Sequence, residues 1–262
     1  MFCSIFSRIN SLTEILTLYM LIKKIFSTLL GTAFLGLICT VQAFAQQPDI
    51  KISKKDRKKD VEMITTEGII ILRLSDSTPI HRDNFLKLIK SGFYNGVSFH
   101  RVMAQFMIQA GDPKTKGDSL LKLEKSKDTL YTLPAEFRLG LFHKRGALAA
   151  ARTPDEVNPL KASSGNQFYI VQGRKFTDLS LDSVETNRLK GRKIPSSYRE
   201  VYKTIGGAPH LDQNYTVFGE VVSGMDVVDK IAQKPTTGRS GGDKPLQDIK
   251  IIQTKLISRK RK

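Results

Sequence analysis

The sequence predicts a mainly β protein: eight strand-like runs around one core, two α-helices capping them, and a helical insert. Three observations carry this expectation. Short runs alternating apolar and polar residues, bounded by turn-forming residues, recur between Val61 and Ile257. Only two stretches within that pattern switch to helical spacing, one after Pro79 and one over 224–232. A further helix-period stripe is confined to 173–208. Eight largely antiparallel strands with two capping helices fit a closed eight-stranded antiparallel β-barrel. Such a barrel is filled by its own side chains, so a site belongs on its outer wall.

The amino-terminal end is read apart from the fold. Lys23 and Lys24 precede an apolar run over 25–41 that ends at Ala43-Phe44-Ala45, the order of a cleavable export signal. Met20 gives that signal a compact start and leaves 1–19 as a preface upstream of it. A membrane anchor fits less well, because the run is short for a span and a cleavage site follows. Cys39 lacks the preceding small residue of a lipid-linked cysteine. The expected location is therefore periplasmic or secreted, with a mature chain from Gln46. Both cysteines, Cys3 and Cys39, leave with the leader, so no disulfide, thiol nucleophile or cysteine metal site is expected. The four histidines have no metal-ligand spacing.

Of the formal charge of +17, Arg8, Lys23, Lys24 and Glu14 account for a net two, leaving +15 on the mature chain. Basic runs lie at 51–60 and 258–262. They read as a flexible linker over 46–60 and a solvated tail, since no aromatics are interleaved for base stacking. The expectation is no nucleic acid, a monomer, and at most weak electrostatic contact with anionic envelope surfaces.

The folded region, 61–257, opens with runs at 61–66 and 69–74 split by Glu67-Gly68. Ser77 or Thr78 then caps a helix with Pro79 at its first position, Phe85, Leu88 and Ile89 as its stripe and Gly92 as its stop. The stretch 97–112, VSFHRVMAQFMIQAGD, reads as two strands and a short turn. Alternation puts Phe99, Arg101 and Met103 on one face, with Ser98, His100 and Val102 opposite. In the second strand Met107 and Gln109 share a face, with Phe106, Ile108 and Ala110 opposite. Arg101 thus stands among apolar side chains, and its five permanent donors need acceptors, for which Gln109 is the expected partner. Residues 113–136 read as a surface loop or short helix with Leu120, Leu121 and Leu123 as its apolar cluster. Strands follow at 147–151, 167–172, 215–221 and 248–257; the helix over 224–232 places Met225, Val228 and Ile231 on one side. In the insert, a helix over 179–190 precedes one opened by a Ser197/Glu200 capping box after Pro195. Tyr198, Val201, Tyr202 and Ile205 form its stripe and Gly206 closes it. The insert either packs on the barrel flank or walls the substrate, since it rejoins the core at His210 and Leu211.

The run FHRVMAQFMIQAGD resembles the core motif of the cyclophilin family of peptidyl-prolyl cis-trans isomerases, FHR, a short turn, then FMxQGGD, without a gap. Resemblance continues in order through GALAAAR (146–152), SSGNQFYIV (163–171), PHLDQNYTVFGEVVSGMDVVDKI (209–231) and DKPLQDIKI (243–251). Several matches in order are far more specific than one short motif. The resemblance implies the closed, helix-capped barrel, isomerase activity on proline-containing unfolded or partly folded polypeptides, and no cofactor. It makes Arg101 the catalytic arginine and Gln109 the glutamine that orients it. Phe106, Met107, Tyr169 and Leu211 match the proline-pocket lining, and His100, Ala151, Gln167 and His210 other substrate-facing positions. Tyr169 stands where the family usually has phenylalanine, Arg152 replaces an asparagine and Tyr215 a histidine; cyclosporin-sensitive members carry tryptophan at the place of His210.

Rotation about an X-Pro bond breaks amide resonance against a barrier of roughly 18–20 kcal/mol. It needs no nucleophile. An aimed cationic donor interacts more strongly with the pyramidal nitrogen of the twisted state than with the planar ground state. Without the family, Phe106, Met107 and Leu211 would read as core and His100 as a satisfied barrel histidine. A non-catalytic proline-peptide-binding chaperone of the envelope would use the same groove without needing Arg101 or Gln109. A hydrolase would need a nucleophile and base that the sequence does not pair.

Overall fold

The computed structural model describes Met20, Lys23 and residues 50–119 and 131–259. The chain divides into two units, 1–49 and 50–262. The expected export signal apart from Met20 and Lys23, its cleavage site, the Leu120–Leu121–Leu123 cluster and residues 260–262 lie outside the described residues.

Among its described residues the second unit holds ten strands: β1 Lys59–Thr65, β2 Gly68–Leu74, β3 Arg101–Met103, β4 Met107–Ala110, β5 Thr132–Leu133, β6 Ala147–Ala150, β7 Ser163–Ser164, β8 Phe168–Val171, β9 Val217–Ser223 and β10 Ile251–Ser258. Its α-helices are α1 Pro79–Lys90, α2 Asp178–Asn187, α3 Ser196–Thr204 and α4 Met225–Ala232. Eight strands form one antiparallel sheet in the order β10-β1-β2-β9-β6-β8-β4-β3, while β5 and β7 make a separate ribbon that strand alternation did not announce. The ladder is an open half-barrel, because its end strands β3 and β10 are not ladder partners. The segment before β3 instead bonds the segment leading into β10, with Phe99 N–H to the Ile249 carbonyl and Ile251 N–H to the Val97 carbonyl, each 2.8 Å.

Alternation puts Val61, Met63, Ile70, Leu72, Ile108 and Leu148 into the core. There Phe85 of α1 meets Tyr94, Phe168 and Phe218 at centroid distances of 5.1, 5.4 and 5.3 Å. Strands β6 and β8 are buried throughout. Leu148, Ala150, Phe168 and Ile170 face the core, whereas Ala147, Ala149, Tyr169 and Val171 belong to a second apolar cluster with Met107 and Leu211. That second cluster is the site's foundation.

Several local expectations give way to tertiary contacts. Neither Ser77 nor Thr78 caps α1 through its side chain; Thr78 is the N-cap residue, but Glu136 accepts the Ile80 and His81 N–H groups at 3.2 and 2.9 Å. A carboxylate from a distant loop thereby meets the orphan donors and the positive end of the helix. Residues 51–58 are no flexible tether. A short 3-10 turn at Asp56–Lys58 is pinned by Ser53, and Arg57 grips Asp83 of α1. In the insert, α2 is opened by a Thr177/Ser180 capping box. The expected Ser197/Glu200 box does not form, because Pro195 takes the N-cap position and Glu200 pairs with Lys203 instead. Tyr202 is fully buried in a cluster with Phe176, Leu181, Leu189 and Ile194, packed by Phe142 and Tyr198, whereas Ile205 is exposed. The insert therefore has a small core of its own.

Candidate active site

The hairpin of β3 and β4 sets Arg101 opposite Gln109 and Met103 opposite Met107. Outward alternation holds for these four. It fails at the two ends. Phe99 lies before β3 in irregular backbone and drops into the core at 1 % exposure rather than sharing the Arg101 face. Phe106 sits in the turn, where Gln105 takes φ +61° and the Phe106 N–H returns to the Met103 carbonyl. Freed from the pleat, Phe106 joins Met107 instead of opposing it.

A cavity of about 230 Å³ opens here, lined by Arg101, Gln109, Ala151, Arg152 and Tyr215 with an apolar wall of Phe106, Met107, Tyr169 and Leu211. Seven of the ten site residues expected from the sequence thus share one cavity. Gln167 adjoins it, accepting the Gln109 amide N–H at 3.1 Å, and His210 rests against Phe106 with ring centroids 5.3 Å apart. His100 is absent from the lining; its Nδ1 is buried without a hydrogen-bond partner, and burial lowers its pKa. Burial also pulls His210 down, to about 4, with Arg188 contributing next, so the rim at Phe106 is uncharged near neutrality.

Arg101 is 42 % exposed at the side chain, a donor facing the opening rather than a buried ion. Its partners differ from the expected one. Nε points to Asp243 Oδ2 at 3.4 Å and Nη2 to Met103 Sδ at 3.2 Å, while the Gln109 amide is spent on Gln167. Gln109 therefore borders Arg101 as a cross-strand neighbour without accepting from it. Asp243, which the sequence reasoning missed, lies 142 positions away and no local spacing marks it. Arg152 and Tyr215 were likewise left out of the site; Arg152 lies over the Tyr215 ring at 4.5 Å and pairs with Asp155 at 2.6 Å, closing one side of the cavity. A larger cavity of about 310 Å³ lies by Arg73, Lys144 and Glu220, but those charges are consumed in pairs, Lys144 with Glu220 at 2.8 Å and Arg73 with Asp60 at 2.8 Å. It combines no free donor with an apolar wall.

The cavity can hold a proline-sized ring against four apolar side chains while a guanidinium waits at its edge. It offers no nucleophile–base pair: the hydroxyl and imidazole that do meet, Tyr169 and His143 at 2.9 Å, are buried behind the wall.

Comparison with known proteins follows the same residues. The profile of the family described as cyclophilin type peptidyl-prolyl cis-trans isomerase/CLD matches residues 60–256. A Staphylococcus saprophyticus protein named "Putative peptidyl-prolyl cis-trans isomerase" is 34% identical over 198 residues, covering 74% of this chain and 90% of that protein. One from Staphylococcus aureus with the same name is 31% identical over 210 residues, covering 79% and 96%. Among solved structures, a Cryptosporidium parvum cyclophilin type peptidyl-prolyl cis-trans isomerase superposes with a TM-score of 0.54 at 21% identity, over 77% of this chain and 99% of that one. The same protein in the presence of the dipeptide Ala-Pro gives 0.52, over 76% and 99%. At that identity the structural likeness speaks to the fold, and it agrees with the family match across nearly the whole sheet. The chain belongs to the cyclophilin-type peptidyl-prolyl cis-trans isomerase family.

Proposed function

We propose that this chain assists the folding of exported proteins by rotating X-Pro bonds in unfolded or partly folded polypeptides, with Arg101 as the group that favours the twisted state. The observation that carries the reading is a half-exposed guanidinium at the edge of a cavity walled by Phe106, Met107, Tyr169 and Leu211. The proline ring enters that wall, and burying it there holds one side of the bond while the other turns. Arg101 then donates to the prolyl nitrogen as its lone pair localises. Its Nε leans on Asp243, which aims the fork, and Gln109, held by Gln167, bounds the space beside it. Gln109 in this reading positions substrate rather than Arg101. Substrates are peptides with an accessible proline, by analogy with the Ala-Pro present with the Cryptosporidium parvum protein.

The proposed export, to the periplasm or the outside of the cell, is supported by Lys23-Lys24, the apolar run and Ala43-Phe44-Ala45. The barrel is taken to close through the bonds between 96–99 and 249–251, which bridge the sheet's open ends. Proline-limited isomerisation of a short peptide by the chain from Gln46 onward tests the reading. Catalysis above the spontaneous rate is expected. A chain that binds the peptide without accelerating it would instead be the envelope chaperone.

A further inference from the structure

A buried polar chain runs from the insert to the cavity and takes no part in the chemistry assigned to Arg101. Tyr202 Oη, on α3, donates to Asp212 Oδ2 at 2.6 Å. Asp212 Oδ1 accepts the His143 backbone N–H at 2.8 Å and lies 2.9 Å from His143 Nδ1. His143 Nε2 lies 2.9 Å from Tyr169 Oη. Tyr202 and His143 are 0 % exposed, Tyr169 4 % and Asp212 6 %. The carboxylate accepts at Nδ1, so the imidazole carries its proton there and Nε2 accepts from the Tyr169 hydroxyl. A phenol in an apolar wall needs such a partner. Arg192, also in the insert, donates to the Asp212 carbonyl. Asp212 directly follows Leu211, and Tyr169 is on β8, so one linkage ties two walls of the cavity to α3.

We propose that Tyr202, Asp212 and His143 are positioning residues that hold the Tyr169 ring and the His210–Leu211 wall in register, so that the insert helps set affinity for the proline substrate. The inference rests on reading the cavity as a proline pocket. Slackening the wall weakens contacts made equally to the planar and twisted substrate, so the loss falls on KM and leaves kcat in place.

Tyr202→Phe is the chosen variant, because it keeps the ring in the insert's cluster and removes one hydroxyl. KM for a proline peptide is expected to rise about three- to tenfold with kcat within about twofold, the range that one hydrogen bond's net worth allows. Tyr169→Phe cuts the linkage at its other end. In that background Tyr202→Phe should raise KM no further, yet still lower Tm, a pattern that a merely structural role would not produce. An unchanged KM in Tyr202→Phe, or effects of the two variants that multiply, would overturn the proposal while wild-type turnover keeps the isomerase reading intact. If the wild type shows no turnover, that reading fails separately, and the linkage is read from Tyr169 ring flipping by NMR. Faster flipping in Tyr202→Phe is expected, and an unchanged rate would overturn the positioning role.

Discussion

Phe106 and His210 show how single residues shape the cavity. Phe106 reaches the wall because Gln105 turns at positive φ, a position strand alternation cannot register, and His210 then covers its outer side. Phe106→Ala should raise KM and lower kcat/KM together by about tenfold or more, the worth of an apolar ring of roughly 1.5–3 kcal/mol. Peptide isomerisation across substrate concentrations measures it. His210 carries a pH consequence. Its folded pKa of about 4 lies below its ordinary 6.5, so the unfolded chain takes the proton first as pH falls. The His210 contribution to stability is therefore whole above 6.5 and lost between 6.5 and 4. His210→Phe should lose less Tm than wild type over that window, whereas the isomerisation rate of wild type should stay flat from neutrality down to about pH 5. Equal Tm losses would mean that burial of this imidazole is not what depresses it. Strand alternation placed Arg101 beside Gln109 in the sequence, whereas Met107 and Leu211 read as core on residue type alone and, with Tyr169, were assigned to the cavity only by the ordered family motifs. Asp243 was not legible, because the ion pair is made by a loop far away in the chain, and a residue type alone does not reveal which carboxylate returns to which guanidinium.

Elements meet most tightly where the insert rejoins the sheet. A Cβ on Gly207 would stand 2.3 Å from the His143 carbonyl oxygen and 2.6 Å from Tyr202 Cε1, so nothing larger than glycine fits between the insert helix and the loop behind the cavity. Gly207→Ala should cost about 3 kcal/mol and lower Tm by about 6–12 °C, while Gly140→Ala, whose Cβ meets nothing within 4 Å, should leave Tm in place. Thermal unfolding of the two variants compares them directly. The eight strands of the main sheet and all four helices were readable from apolar patterning and turn signals, whereas the two-residue β5 and β7 are too short to show a pattern. The caps were misread for one reason: an N-cap is whatever acceptor arrives, and Glu136 at α1 comes from a distant loop. The Ser197/Glu200 signature was present in sequence, but Pro195 fixed the entry two residues earlier. Between the two readings of the insert, the buried cluster around Tyr202 and the Tyr202–Asp212 bond support both at once, a packed hairpin with a polar contact that leads to the cavity.

At the scale of the whole molecule, one sheet carries two faces with different tasks. Its inner face is closed by α1 and α4, whose Phe85, Leu86, Val228 and Ile231 join the core, while its outer face over β4, β6 and β8 carries Met107, Ala147, Ala149, Tyr169 and Val171, the apolar cluster that underlies the cavity. The basic run 51–60 is partly consumed in folding, Arg57 by Asp83 of α1 and Lys59 by the run's own Asp56, which reduces what remains to attract an anionic surface. Produced as the full 262-residue chain in a bacterial host, the protein should be recovered with the mass of a chain beginning at Gln46 if the proposed export signal is cleaved; a chain retaining 25–41 would mean an anchored protein. In the proposed function Arg101 drives rotation rather than binding. Arg101→Ala should cut kcat/KM in proline-limited isomerisation about a hundred- to thousandfold, the worth of an aimed donor in an apolar site, with peptide affinity largely kept and the fold unchanged by circular dichroism. Arg101→Lys should recover little, since a flexible point charge does not reproduce a fork leaning on Asp243. Isomerisation by Arg101→Ala at the wild-type rate would contradict the account.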